Sequence, residues 1–195
     1  MKQMTIQVEG LEDVRRRLGR LAPEARKVIR MAVNDTAVEA RKQINDRVRE
    51  RYIVKKTKFN KGLTLTRATN KTLTARLTAK GSTLPLVYFD TRKNGKRKAA
   101  QGHQLHSTSL KPIIKNGNKS FVTKVKAVSK NGEIKEHKGL FYRVSKHRYP
   151  IEQVYGSSVP VMIGSKKVYG TLEPVIQSDL QKNLQRHIDL VLRRI

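Results

Sequence analysis

The sequence has no cysteine and no tryptophan, and aromatic residues make up only 5% of its 195 residues. Without cysteine the chain can form no disulfide framework, no thiolate metal site and no thiol nucleophile. So few aromatic side chains argue against a platform that binds single-stranded nucleic acid by stacking. Apolar runs are only a few residues long and no signal peptide is recognisable, so we expect no membrane span and synthesis in a reducing cytoplasm.

Acidic residues are also scarce, with 15 Asp and Glu against 43 Lys and Arg, and the net charge is +28. Residues 51–148 contain 25 of the basic residues but only three acids, Asp90, Glu133 and Glu136, so +22 of the charge lies there. A positive field of this size repels itself and lowers stability unless an anionic partner compensates it. The composition therefore predicts a negatively charged partner, with nucleic acid as the first candidate.

Motifs that carry catalysis are absent from the sequence, which has no GxxxxGK[ST], GxGxxG, HExxH or GxSxG pattern. His103 and His106 are three residues apart, but no cysteine or acid lies close in sequence, so we interpret them as solvated loop histidines rather than metal ligands. Asp90 is the only acid between Glu50 and Glu133, and a lone carboxylate cannot hold a metal nuclease site. We expect Asp90 to pair with a nearby lysine or cap a turn. The prediction is a protein that is not an enzyme and has no cofactor, metal or small-molecule substrate.

Hydrophobic periodicity predicts an α+β domain with helices towards both ends of the chain. The predicted elements outside the middle region are a short strand ending at Gly10, a helix over 11–22, a long helix from Pro23 to about Val48, and a closing helix from about Thr171 or Pro174 to Ile195. Apolar residues recur every three or four positions in each helix, which is typical of a face packed on a core.

In the middle region, period-two segments predict strands. They cover 63–69, 73–80, 86–90, 121–128 and 140–144. Asn131-Gly132 predicts a hairpin, and Asn94-Gly95 lies in a predicted loop over 90–102. We expect one domain over 1–195, a mostly antiparallel sheet with the long N-terminal and C-terminal helices packed on it, and a basic, loop-rich region at about 51–148.

Two short segments concentrate the positive charge. The first contains Lys55, Lys56, Lys58 and Lys61, and the second contains Arg92, Lys93, Lys96, Arg97 and Lys98. Cations around a flexible glycine suit contact with phosphates without base reading, and no helix-turn-helix or RNP-like pattern is present. These nine residues are the predicted DNA-phosphate contacts. A solvated charged surface stays open as the alternative for either segment.

The most specific block of the sequence is Lys-His-Arg-Tyr-Pro-Ile at 146–151, followed by Ser158-Val159-Pro160 and a long amphipathic helix. The Gly10-Leu11 start, the Ala-rich helix around 32–36 and Thr83-Leu84-Pro85-Leu86 follow the same order. Together these blocks resemble the phage minor tail protein Z family, the tail completion proteins of long-tailed phages with lambda-like tails. The resemblance covers essentially the whole chain.

The resemblance implies a virion protein at the head-proximal end of the tail, assembled in the host cytoplasm, which completes the tail for head–tail joining. The partners it implies are the tail terminator, the tail tube, the head–tail connector and the end of the double-stranded DNA genome. Because the tail rings of such phages are six-fold, it also implies a homo-oligomer that forms a six-fold ring or associates with one. The family has no catalytic residues to transfer.

The Tyr149-Pro150-Ile151 segment has a structural interpretation of its own. Pro150 lacks a backbone donor and restricts Tyr149 to extended conformations, so the segment should begin or form an edge strand. Tyr149 and Ile151 are two apart and should share a face. They serve either as apolar anchors in the core or, with Pro150, as a contact for a neighbouring subunit or tail protein.

Two other functions remain open at this point. A stand-alone nucleic-acid-binding protein would bind free duplex or RNA tightly. A structural adaptor would dock its basic surface on acidic tail proteins and touch no DNA.

Overall fold

The structure is a computed structural model that describes residues 2–8, 11–93, 98–128 and 131–193, without the side chains of 127, 128 and 135. Its helices, in chain order, are α1 (Leu11–Leu18), α2 (Ala25–Arg51), α3 (Lys56–Lys61), α4 (Val159–Gly164) and α5 (Lys166–Leu192), with short 3-10 helices at Gly19–Glu24 and Leu86–Tyr88. Its strands are β1 (Lys2–Gln7), β2 (Leu63–Thr66), β3 (Thr74–Ala79), β4 (Thr83–Pro85), β5 (Asp90–Arg92), β6 (Gln101–His103), β7 (Lys111–Pro112), β8 (Ile114–Lys115), β9 (Asn118–Lys119), β10 (Phe121–Val128), β11 (Ile134–Arg143), β12 (Ile151–Gln153) and β13 (Tyr155–Ser158).

The α+β class with antiparallel strands and two long helices is confirmed. Within the described residues the strands divide among five small sheets rather than one. The chain forms two compact units, a first unit of residues 1–48, 60–81 and 160–195 and a second unit of residues 49–59 and 82–159. No helix in the described part of the chain has the length and hydropathy needed to cross a bilayer.

The first unit packs the two long helices on a three-stranded sheet of order β1–β3–β2. The apolar stripe of α2 predicted from Ala25 to Val48 is buried throughout, and Val33 is fully inaccessible. Ile44 of α2 and Tyr169 of α5 line one small cavity together with Leu77 of β3, so both helices reach the sheet. This packing confirms that the long helices lie on a sheet.

The helix α5 begins at Lys166, so the predicted start at Thr171 or Pro174 was wrong. Proline lacks a backbone N–H and is normally read as a helix start or break. Here the helix continues through Pro174 because Val168 and Leu172, before it, are each only 1% exposed and anchor the first turns.

The second unit contains the β10–β11 hairpin, extended by β12 into a three-stranded antiparallel sheet. The strand predicted over 121–128 and the turn at Asn131-Gly132 are confirmed, and Gly132 has the positive φ of +77° that such a turn favours. The predicted strand over 86–90 was wrong. Leu86 and Phe89 are both buried three positions apart, which suits a helical turn and not the two-residue alternation of a strand.

Candidate nucleic-acid interface

Four lysines line a groove of about 520 Å³ in the second unit, which we call the lysine groove. They are Lys55, Lys93, Lys124 and Lys138. Two of these were predicted from the sequence, one from each basic segment. The tertiary structure therefore brings together residues 38 positions apart and adds two lysines from the β10–β11 hairpin.

Backbone hydrogen bonds position Lys55 at the groove. The amide of Lys55 donates to the carbonyl of Tyr88 at 2.9 Å, and the amide of Ile53 donates to the carbonyl of Gln104 at 2.9 Å. The side chain of Lys55 is exposed, whereas Phe59 on the following α3 is fully buried. A fixed backbone thus presents an exposed lysine side chain to the groove.

Lys93 directly follows β5, which pairs with β6 so that Thr91 faces Gly102. A Cβ at Gly102 would lie 3.0 Å from Ile113 Cδ1 and 3.2 Å from Thr91 Cγ2. Glycine therefore permits the close approach of these neighbours, which holds β5 in place. Lys93 leaves the strand at its end and is exposed at the groove.

Lys124 and Lys138 lie directly opposite each other on β10 and β11. Like charges in this position repel. The charge of Lys124 is balanced by Glu136, whose Oε2 lies 2.9 Å from the Nζ of Lys124. Lys138 forms no ion pair within the described residues. These two lysines were missed as site residues. A two-residue turn at Asn131-Gly132 would place Lys124 opposite Gly139, whereas the observed register, with Val128 opposite Ile134, pairs Lys124 with Lys138.

Asp90 lines the lysine groove and is paired with a histidine. Its Oδ2 lies 3.0 Å from Nε2 of His103, whose Nδ1 lies 2.6 Å from the carbonyl oxygen of Thr108. The hydrogen bond to Asp90 is the main cause that raises the pKa of His103. When His103 is protonated, it balances the charge of Asp90.

The expectation that Asp90 pairs with a lysine or caps a turn was therefore wrong, as was the interpretation of His103 as a solvated loop residue. The His103 side chain is 14% exposed and has both ring nitrogens occupied. His106 Nε2 lies 3.0 Å from the carbonyl of Arg49 and is likewise engaged. In the described part of the chain, no three His, Asp or Glu side chains converge as a metal site would need.

The other predicted phosphate contacts are placed differently. Lys56 is exposed on α3, and Lys58 Nζ sits 4.5 Å above the ring of Tyr88, which engages its charge locally. Lys61 is exposed at the end of α3 and belongs to the first unit. Arg92 and Lys98 are exposed but do not line the groove, and Lys96 and Arg97 lie outside the described residues.

The Tyr149–Pro150 peptide is cis and precedes β12, which begins at Ile151 and forms one edge of its sheet. The expected strand start is thus confirmed. Tyr149 is 65% exposed, so it does not anchor the core, whereas Ile151 is half-buried. The exposed ring leaves the prediction of a partner contact at Tyr149, Pro150 and Ile151 in place.

These features define a strongly basic α+β protein with a cation-lined groove on its second unit. A family model described as prophage minor tail protein Z (GPZ) matches residues 8–195, and the chain belongs to this family. It is therefore a structural protein of a phage tail, as the sequence blocks indicated, and acts among other tail proteins in the virion. No curated protein and no solved structure matches the chain.

Proposed function

We propose that this protein completes the head-proximal end of the tail for head–tail joining and there contacts the end of the double-stranded genome. The contact is made to phosphates without regard to base sequence, through the lysine groove. Oligomerisation into a ring would place copies of this groove around the DNA. The family supports the tail role, and its structural character supports a non-enzymatic protein.

The observation that carries the DNA contact is the convergence of cations without competing acids. Lys55, Lys93 and Lys138 form no ion pair within the described residues, and the two acids nearby, Asp90 and Glu136, are engaged with His103 and Lys124. The second unit has 21 Lys and Arg against 5 Asp and Glu, a net charge of +16, while the first unit has 22 against 10. A polyanion would relieve the repulsion among these unpaired groups.

Flexible lysines also suit a contact that must be released when the genome leaves. Their ammonium groups act as point charges on long stems, and their interactions with phosphate are screened by salt. Base-reading contacts would instead depend on register and sequence.

The test is a titration of the full chain with a short duplex of mixed sequence over a series of salt concentrations. Lys55→Gln/Lys93→Gln/Lys138→Gln should flatten the slope of log affinity against log salt by about 2.7, since each phosphate contact contributes about 0.9. The matched control is Lys71→Gln/Lys166→Gln/Lys167→Gln, three exposed lysines of the first unit with the same loss of charge. An equal effect of both variants would show that net charge alone drives binding and would reject the groove.

An adaptor role predicts a different pattern. The wild-type chain would bind duplex weakly, yet its attachment to purified tails would be labile to salt and weakened by the same three substitutions. That result would replace the DNA contact by docking on acidic tail proteins.

A further inference from the structure

A second cation-lined groove, of about 470 Å³, lies on the second unit, and we call it the arginine groove. Its cations are Lys124, Lys126, Arg143 and Arg148. None of the nine basic residues predicted from the sequence belongs to it. It shares Thr123 and Lys124 with the lysine groove, so the two are continuous at β10, an edge strand of the sheet.

The two arginines of this groove are each held against an aromatic ring. The guanidinium carbon of Arg143 lies 5.6 Å from the ring centroid of Phe121, and that of Arg148 lies 5.7 Å from that of Tyr149. A guanidinium in cation–π contact with a ring still has N–H donors in its plane, and these can make the paired hydrogen bonds that match phosphate. The ring contact also limits the conformational freedom that binding would remove.

The backbone around both arginines is tied by hydrogen bonds. Asn118 Nδ2 donates to the carbonyl of Arg143 at 3.0 Å and to that of Ser145 at 3.3 Å. The amide of Val144 donates to the carbonyl of Pro150 at 3.2 Å, which closes the loop that carries Arg148 and Tyr149. The groove is therefore built on a closed loop and a strand end.

Acids near the groove are already engaged. Glu136 faces Lys126 across the β10–β11 ladder, but its carboxylate is bonded to Lys124. Glu152 accepts a hydrogen bond from the hydroxyl of Tyr142 at 2.5 Å. Among the described residues, Lys126, Arg143 and Arg148 form no ion pair.

We propose that the arginine groove is a second phosphodiester-binding site, continuous with the lysine groove, at which Arg143 and Arg148 hold the backbone of duplex DNA. The proposal rests on the proposed DNA contact and extends it to a different set of residues. A duplex repeats its charge evenly along the axis, so it can meet both grooves in any register. An acidic protein segment is the competing occupant, and the experiment below separates the two.

The experiment is the same salt-dependent duplex titration of the full chain. Arg143→Gln/Arg148→Gln should flatten the slope of log affinity against log salt by about 1.8. The control Arg20→Gln/Arg67→Gln removes the same charge from exposed positions of the first unit and should change the slope less. Arg143→Lys/Arg148→Lys keeps the charge but loses the planar fork, so it should keep the slope and weaken binding at every salt concentration.

The outcomes separate this inference from the proposed function. If the lysine-groove variant flattens the slope but the arginine-to-glutamine variant equals wild type or its control, only the arginine groove is rejected. If wild type binds no duplex but retains an acidic polypeptide such as polyglutamate, both proposals fail. If Arg143→Gln/Arg148→Gln does not fold, as judged by its melting transition, Arg143→Lys/Arg148→Lys decides the question. Unchanged duplex affinity in that variant would reject a contact that depends on the planar guanidinium groups.

Discussion

At the scale of single residues, His103 has a hydrogen-bond acceptor at each ring nitrogen, the carboxylate of Asp90 and the carbonyl of Thr108. A neutral imidazole carries only one N–H, so only the protonated ring can donate to both. Asp90 is the first residue of β5, and His103 is the last residue of β6. When it is protonated, His103 thus links two strands and balances the charge of the acid in the lysine groove.

This arrangement predicts a pH dependence of stability. Because the pKa of His103 is raised in the folded state, its contribution is complete below about pH 6.5, the ordinary value, and is lost as the pH rises through the folded-state pKa. The difference in free energy of unfolding between wild type and Asp90→Asn, from urea titrations, should therefore shrink as the pH is raised from mildly acidic to mildly alkaline.

His106→Gln is the control for this measurement, because Nε2 of His106 donates a single hydrogen bond to the backbone carbonyl of Arg49, and His106 has no carboxylate partner among the described residues. In the His106→Gln background, the effect of Asp90→Asn on the free energy of unfolding should shrink with rising pH as it does in wild type. A difference between wild type and Asp90→Asn that stays constant across the pH range would contradict a charged His103.

At the scale of elements, α2 and α5 are joined by a regular polar ladder within the first unit. Oδ2 of Asp35 lies 2.8 Å from Nε2 of His187, and Asn183 Nδ2 donates to Oε2 of Glu39 at 2.8 Å. Gln43 Nε2 donates to Oδ2 of Asp179 at 2.6 Å. The partners advance by four residues on α2 as they recede by four on α5, so the helices run antiparallel. Such specific hydrogen bonds select one register, which apolar packing alone would leave less defined.

Burial of the stripe on α2 predicts how the helix responds to a charge. Val33 is fully buried, so Val33→Asp would place an unpaired carboxylate in the core and should cost several kcal/mol. Val38 lies on the same helix and is 46% exposed, so Val38→Asp should change stability by about 0.5 kcal/mol or less. Thermal melts of the two variants measure the contrast, and a Val33→Asp protein that melts like wild type would disprove the packing. Leu184 on α5 is 5% exposed, and Leu184→Asp should behave like Val33→Asp.

At the scale of the whole molecule, acidic and basic residues are unevenly distributed between the two units. The first unit balances part of its charge through pairs such as Arg15–Glu12 and Arg186–Asp35, whereas the second unit has only five acids for its 21 bases. Surface ion pairs of this kind add little stability, so their main effect is on the electrostatic field around the unit. The second unit is accordingly where an anionic partner is expected.

The second basic segment provides a test in the phage itself. Neutralising Arg92, Lys93, Lys96, Arg97 and Lys98 to glutamine should leave the fold intact. Arg92, Lys93 and Lys98 are exposed, and a substitution at an exposed position changes stability by about 0.5 kcal/mol or less. Particles should form normally but show reduced infectivity. The matched control neutralises two exposed arginines and three exposed lysines of the first unit, Arg20, Arg67, Lys71, Lys166 and Lys167.

Normal infectivity of phage that carry the five substitutions would show that this segment is not a functional DNA contact. Failure of the variant tails to join heads, with the control unaffected, would favour the adaptor role over the DNA contact.

The sequence by itself determined the properties that depend on local patterns. The stripe from Ala25 to Val48, the strand over 121–128 and the Asn131-Gly132 turn were all readable, because helical and strand periodicities and turn chemistry act over a few residues. The excess of positive charge and the blocks around Tyr149-Pro150 were equally visible, and they sufficed to indicate the tail protein family.

Tertiary structure alone decided which charges meet and which are cancelled. The pairing of Asp90 with His103, the cation–π contact of Arg143 with Phe121 and the convergence of Lys55 with Lys93 all join residues that are distant in sequence. Packing likewise carried α5 through Pro174, against the local preference of proline. Electrostatic potential depends on distances in space, and no local pattern in a sequence specifies those distances.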